Sequence, residues 1–145
     1  MARISDLLQR KNGTVWTISP TSTVFEGARM MREHNIGALV VEHEGQVVGI
    51  FTERDVLRRV VAEQRSPLQT LVGDAMTANV VCCSLDTTTD EARGAMRDRR
   101  IRHLPVADED GQLMGLISMG DLNADLHSSQ EQSIFLLQEY ISGRV

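Results

Sequence analysis

The amino-acid sequence predicts a mixed α/β fold of the α+β type, in which two copies of a strand–helix–strand–strand–helix unit pack sheet against sheet and a further helix follows. Two observations carry this expectation. A shift of 65 residues superposes Ser19 on Ser84, Thr23 on Thr88, Glu26 on Glu91, Met31 on Met96, Ile36 on Ile101, Leu39 on Leu104 and Val41 on Val106. A shift of 66 then superposes Gly45 on Gly111, Gly49 on Gly115, Thr52 on Ser118 and Asp55 on Asp121, so one residue is inserted in the turn between. The second observation is that both copies pass through the same succession of capping, turn and periodicity signals.

Residues 1–9 form an N-terminal segment and 10–65 the first unit. The unit opens with an extended stretch, Val15 to Ile18, whose counterpart is Val80 to Cys83. Thr23-x-x-Glu26 and Thr88-x-x-Glu91 have capping-box spacing: the hydroxyl accepts from one free backbone N–H and the carboxylate reaches back to another. Each opens a helix that ends near residue 34 or 99. The runs from Ile36 and Ile101 are rich in branched apolar residues, and each turns at a glycine into a second run, Val47 to Phe51 or Leu113 to Ile117. A second helix begins at Thr52 or Ser118. The segment 66–73, containing Ser66-Pro67, links to the second unit at 74–127. Ser128-x-x-Glu131 opens a helix within 128–145 that runs to about Ile141, with Gly143 as its stop. A unit of about 60 residues buries its sheet face poorly alone, so the two should share their apolar faces.

Composition narrows the function. Only 3% of residues are aromatic, so Val, Leu, Ile, Ala and Met must fill the core and base-stacking platforms are not expected. The net charge of -5 opposes a general affinity for nucleic acid or anionic membrane, leaving any anion site local. The first residues carry Asp6 and no secretory apolar stretch, and no apolar run approaches a membrane span, so a cytoplasmic address is expected. Cys82 and Cys83 are adjacent, which suits neither a disulfide framework nor spaced metal ligands; they read as buried or half-buried thiols in a strand.

Gly49-Ile-Phe-Thr-Glu-Arg-Asp55 and Gly115-Leu-Ile-Ser-Met-Gly-Asp121, each after an apolar hairpin and each at the same place in a repeat, resemble a tandem pair of CBS (cystathionine-β-synthase) domains, a Bateman module. Asn35-Ile-Gly-Ala-Leu-Val and Arg100-Ile-Arg-His-Leu-Pro-Val are similar to the stand-alone members, and the resemblance covers roughly residues 10–127. It implies a pseudo-twofold pair, a homodimer, and AMP, ATP, NAD or S-adenosylmethionine in the cleft between repeats.

The candidate binding residues each admit two readings. Thr52-x-x-Asp55 and Ser118-x-x-Asp121 are capping boxes by spacing, and a helix N-terminus of this kind also welcomes a phosphate while its acid can accept from ribose hydroxyls. The resemblance implies the second use, with ribose on Asp55 or Asp121 and phosphate near Thr52 or Ser118. Arg97, Arg99, Arg100, Arg102 and His103 make a basic run, of which Arg97 and Arg99 suit a solvated helix end. Arg102 and His103 fall in the following strand, where neighbours face opposite ways, and the resemblance implies that such residues, with Arg54, approach the phosphates. In the first half Gly37 and Ala38 stand in their place, after the candidate Ile36, either as close packing or to let a ligand reach the backbone. Thr17 sits where the family shows a ligand-contacting threonine, and its counterpart is Cys82. Pro105 lacks a ladder donor, which frees a neighbouring acceptor or marks an edge.

No nucleophile with a held base is apparent, and His34, His43, His103 and His127 have no metal-like spacing. The expectation is therefore a regulatory, non-enzymatic module that binds an adenine nucleotide without needing a metal and signals to a partner protein. Its rival is an interaction module with empty clefts. The unequal residue sets of the two halves predict two unequal sites, or one good and one degenerate.

Overall fold

A computed structural model of the chain describes residues 2–11 and 14–129. The N-terminal segment folds as helix α1 (Ile4–Arg10). The first half follows with β1 (Thr17–Ile18), α2 (Val24–His34), the antiparallel pair β2 (Ala38–His43) and β3 (Gln46–Thr52), and α3 (Glu53–Asp55), which continues as a π-helical turn over Val56–Val61. A short helix α4 (Val72–Ala75) lies between the halves. The second half has α5 (Thr89–Arg99), β4 (His103–Ala107), β5 (Leu113–Ser118) and α6 (Met119–Ser129).

The repeat is legible in the geometry. Thr23 and Thr88 accept from the N–H groups of Glu26 and Glu91, each at 3.1 Å, although only Glu91 is recorded returning the bond, to the Thr88 N–H. Both helices stop on a left-handed residue, Asn35 at φ 55° and Arg100 at φ 56°. Both hairpins carry a register shift at the same place, between Val41 and Glu42 and between Val106 and Ala107. The halves differ at their first strand. β1 pairs in parallel with β2 through Thr17 and Val40, whereas Val80 to Cys83 forms only one bridge, Cys83 to Val106. One sheet is therefore β1-β2-β3 and the other β4-β5.

Each half is completed by a helix that precedes the other half. Ile4 and Leu7 of α1 are buried with Ala92, Met96, Leu104, Val106, Ile117 and Leu122 of the second half. Val72 and Ala75 of α4 are buried with Ile18, Val24, Leu39, Val41, Phe51 and Val60 of the first. The backbone ties repeat as well: Ile4 N–H donates to Thr87 and Ser5 N–H to Leu85, while Val72 N–H donates to Ser22 and Gly73 N–H to Pro20. The stretch expected to link the halves is thus an ordered strap held to the first half, since Val24 and Phe25 also donate to the carbonyls of Thr70 and Pro67. A sequence shift of 68 exposes the relation, Ile4-Ser-Asp-Leu against Val72-Gly-Asp-Ala, which the shift of 65 hides.

Two expectations are corrected. Cys82 is exposed and lies outside any strand, because the second half lacks a true first strand; Cys83 is half-buried. Ser128 lies inside α6, not at a helix start, because the helix from Met119 runs through it. The remainder of the expected C-terminal helix, to Ile141 and Gly143, lies outside the described residues.

Candidate functional site

The β3–α3 and β5–α6 junctions set the two motif acids at helix N-termini, and each acid is bound back to its cap. Thr52 Oγ1 accepts the Asp55 N–H at 3.2 Å and Asp55 Oδ2 accepts the Thr52 N–H at 3.0 Å. Ser118 Oγ accepts the Asp121 N–H at 3.1 Å and Asp121 Oδ2 accepts the Ser118 N–H at 2.8 Å. The capping reading of both motifs therefore holds in each half. It leaves the anion reading open in the second, where α6 is a helix of 11 residues.

The surroundings of the two acids differ. Asp55 is 6% exposed. Its Oδ1 accepts the Thr77 hydroxyl at 3.1 Å, with the Arg59 guanidinium 3.7 Å away, so both oxygens have protein partners. Asp121 is more open, and the second partner on its Oδ2 is a cation: Lys11, at the end of α1, donates to it at 2.8 Å and to the Leu116 carbonyl at 2.7 Å. Burial pushes the Asp121 carboxyl up, but the Lys11 ammonium and the Ser118 N–H and hydroxyl outweigh it and hold the group below the usual carboxylate range.

His103 pairs across the β4–β5 ladder with Ser118, so it stands beside this acid. Burial and then the charges of Lys11 and Arg102 hold its imidazole below the ordinary histidine value, against an opposing pull from Asp121 and from Glu53 of the first half. Arg102, the residue before β4, is exposed, and its carbonyl accepts the Met119 N–H that starts α6. The alternation expected between Arg102 and His103 is thus seen as one exposed and one half-buried side chain. Lys11, Arg102, His103, Ser118 and Asp121 form one group, with Glu53 reaching it electrostatically from the other half.

The first-half candidates are arranged differently. Ala38 is buried and pairs with Thr52, and Thr17 pairs with Val40, two residues along the same strand. The Gly37 carbonyl accepts the Glu53 N–H, and the Glu53 carboxylate lies against the Gly37 Cα, where a Cβ would collide with it. Gly37 is therefore required for Glu53 to sit there. Ile36 and Gly37 also border a hollow of about 560 Å³ lined wholly by first-half residues, between α2 and the π-helical turn. Arg54 is exposed at the start of α3.

Two candidates stand apart. Pro105 is buried and its own carbonyl accepts the Cys83 N–H at 2.9 Å, but without an N–H it cannot make the bond that Val40, its counterpart, makes to the Trp16 carbonyl in the first half. Burial raises the thiol of Cys82, and pushes that of Cys83 up to about 11, which keeps both protonated near neutrality. Sequence reasoning missed Lys11, Glu53, Arg59 and Thr77. Lys11 carried a signal, being the single lysine of the chain; Thr77 follows the strap whose kinship with α1 only the shift of 68 reveals.

Comparison with known proteins agrees with this architecture. A model of the CBS domain matches residues 4–62 and 72–128, so each match begins at the swapped helix. The mitochondrial CBS domain-containing protein CBSX3 of Arabidopsis thaliana is 36% identical over 97% of this chain and 72% of its own length. A putative signal-transduction protein with CBS domains from Burkholderia ambifaria is 38% identical and superposes with a TM-score of 0.84, covering 89% of this chain and 96% of that one. The CBS domain pair of protein MJ0100, solved in complex with 5′-methylthioadenosine and S-adenosyl-L-methionine, shares the fold at a TM-score of 0.79 and 22% identity, over 89% of this chain and 98% of that one.

Proposed function

The chain belongs to the CBS-domain family as a tandem pair, and we propose that it is a regulatory module, not an enzyme, which binds an adenine nucleotide between its halves. The observation that carries this reading is the group at the start of α6. Asp121 offers a carboxylate to a ribose, the Ser118 hydroxyl and the positive end of the α6 dipole suit a phosphate, and Arg102 and His103 stand alongside. The ligands of the MJ0100 pair, both adenosine compounds, make the same ligand class reasonable for this fold. AMP, ATP and NAD all contain the ribose and phosphate that this group suits. The second cleft is the stronger site, because Asp55 is buried with both oxygens engaged.

Signalling follows if the ligand has unequal affinity for two arrangements of the molecule. We take the working form to be a homodimer, with the exposed Leu57 and Val61 on the outer face of the first half as part of the contact.

Titration calorimetry against AMP, ATP, NAD and S-adenosylmethionine tests the reading. Asp121→Asn is expected to weaken nucleotide binding at least ~10-fold, about 1.4 kcal/mol, while Asp55→Asn mainly lowers stability. Absence of heat and of any thermal shift with all four compounds sinks it.

A further inference from the structure

The chain has one lysine, Lys11, among 15 basic residues. Its ammonium spans two acceptors of the second half, the Leu116 carbonyl at 2.7 Å and Asp121 Oδ2 at 2.8 Å. The same Oδ2 already accepts the Ser118 N–H. Resting on the reading of Asp121 as a ribose acceptor, we propose that Lys11 is the specificity-determining residue of the second cleft, selecting ribonucleosides that carry phosphate over those that carry none.

The argument is one of charge balance. A vicinal diol engages a carboxylate through both oxygens, and Oδ2 is taken by an N–H and an ammonium. Ligand entry therefore obliges Lys11 to give up part or all of that oxygen. Its side chain is only 33% exposed and that of Asp121 24%, so separating them without replacement leaves a half-buried charge short of its counter-ion. A nucleoside without phosphate offers no replacement. A nucleoside phosphate does, and the flexible four-carbon stem of lysine lets the ammonium move to it.

Among the described residues, Asp125, one helical turn after Asp121, is held by Arg10. Arg102 and His103 are cationic or neutral, and the other carboxylate acting on His103, that of Glu53, lies against Gly37 in the first half. In the first half the hydrogen bond to Asp55 Oδ1 comes from the neutral Thr77 hydroxyl, and the cation there, Arg59, stands farther off at 3.7 Å and bonds the Met76 carbonyl instead. Selection for phosphate is thus built into the second cleft by a lysine whose counterpart, 68 residues on, is Asn79.

AMP and adenosine differ only in the phosphate, so titration calorimetry with both on the full chain isolates the effect. The unaltered protein is expected to bind AMP at least ~10-fold tighter than adenosine, Lys11→Met to bring that ratio within ~3-fold by easing adenosine binding as well as weakening AMP, and Lys11→Arg to preserve it. An unchanged ratio in Lys11→Met overturns the proposal while leaving the nucleotide reading intact. Failure of the unaltered chain to bind either compound overturns the reading and the proposal together. A measurement without any variant is available because Lys11 is the sole lysine: the rate of its acetylation by an amine-reactive ester, read on its own peptide, is expected to change at least ~2-fold with saturating AMP and to stay within that limit with adenosine. A rate indifferent to AMP also overturns the proposal.

Discussion

Asp55 and Asp121 hold equivalent places in the repeat, yet one meets a threonine hydroxyl and the other an ammonium. The difference arises because their outer partners come from the swapped straps, which diverge in sequence more than the motifs do. His103 extends the asymmetry, since Ala38 occupies its place in the first half. Burial and the nearby cations lower the folded-state value of His103 below its ordinary 6.5. The unfolded chain then binds the more protons, so this residue's contribution to stability is complete above about pH 6.5 and is lost as pH falls through the lower folded value. Urea melts at pH 7.5 and 5.5 are expected to show a smaller pH loss in His103→Gln than in the unaltered chain; equal losses would refute the assignment. An anionic ligand beside the imidazole reverses the pull, so binding of a nucleoside phosphate is expected to take up a proton.

At the scale of elements, the two helices α1 and α4 do more than their length suggests. Each supplies two buried apolar residues to a core that its own half does not contain, worth about 1.5–3 kcal/mol for each large side chain. Glycine makes the approach possible at both places. A Cβ on Gly49 would stand 2.6 Å from the Met76 sulfur and 2.8 Å from the Thr77 carbonyl oxygen, whereas the nearest atoms to one on Gly115 belong to the Leu8 side chain, at 2.7 Å. Leucine can rotate away and a backbone carbonyl cannot. Gly49→Ala is therefore expected to cost about 2–3 kcal/mol and Gly115→Ala less than about 1.5 kcal/mol in urea unfolding, and the reverse order would contradict the packing described. The helices, hairpins and caps themselves were legible from spacing, because Thr-x-x-Glu, glycine turns and branched apolar runs act over a few residues. The exchange of straps was not, because nothing local to Ile4 or Val72 says which core each will enter.

For the whole molecule, the first half presents its π-helical turn outward, with Leu57 and Val61 each 61% exposed beside the hollow between that turn and α2. Apolar side chains at such exposure on one face are what self-association would cover. Leu57→Glu combined with Val61→Glu is expected to shift the proposed homodimer to monomer in sedimentation velocity without altering its circular dichroism. An unaltered chain that sediments as a monomer would contradict that reading. The sequence by itself determined the repeated unit, its order of elements, the family resemblance and the two motif acids, since each rests on short-range spacing that recurs at one offset. Only the tertiary structure decided which acid stays open and what stands on it. Lys11 and Asp121 are brought together by the docking of α1 into a core made far along the chain, and long-range packing of that kind leaves no periodic trace.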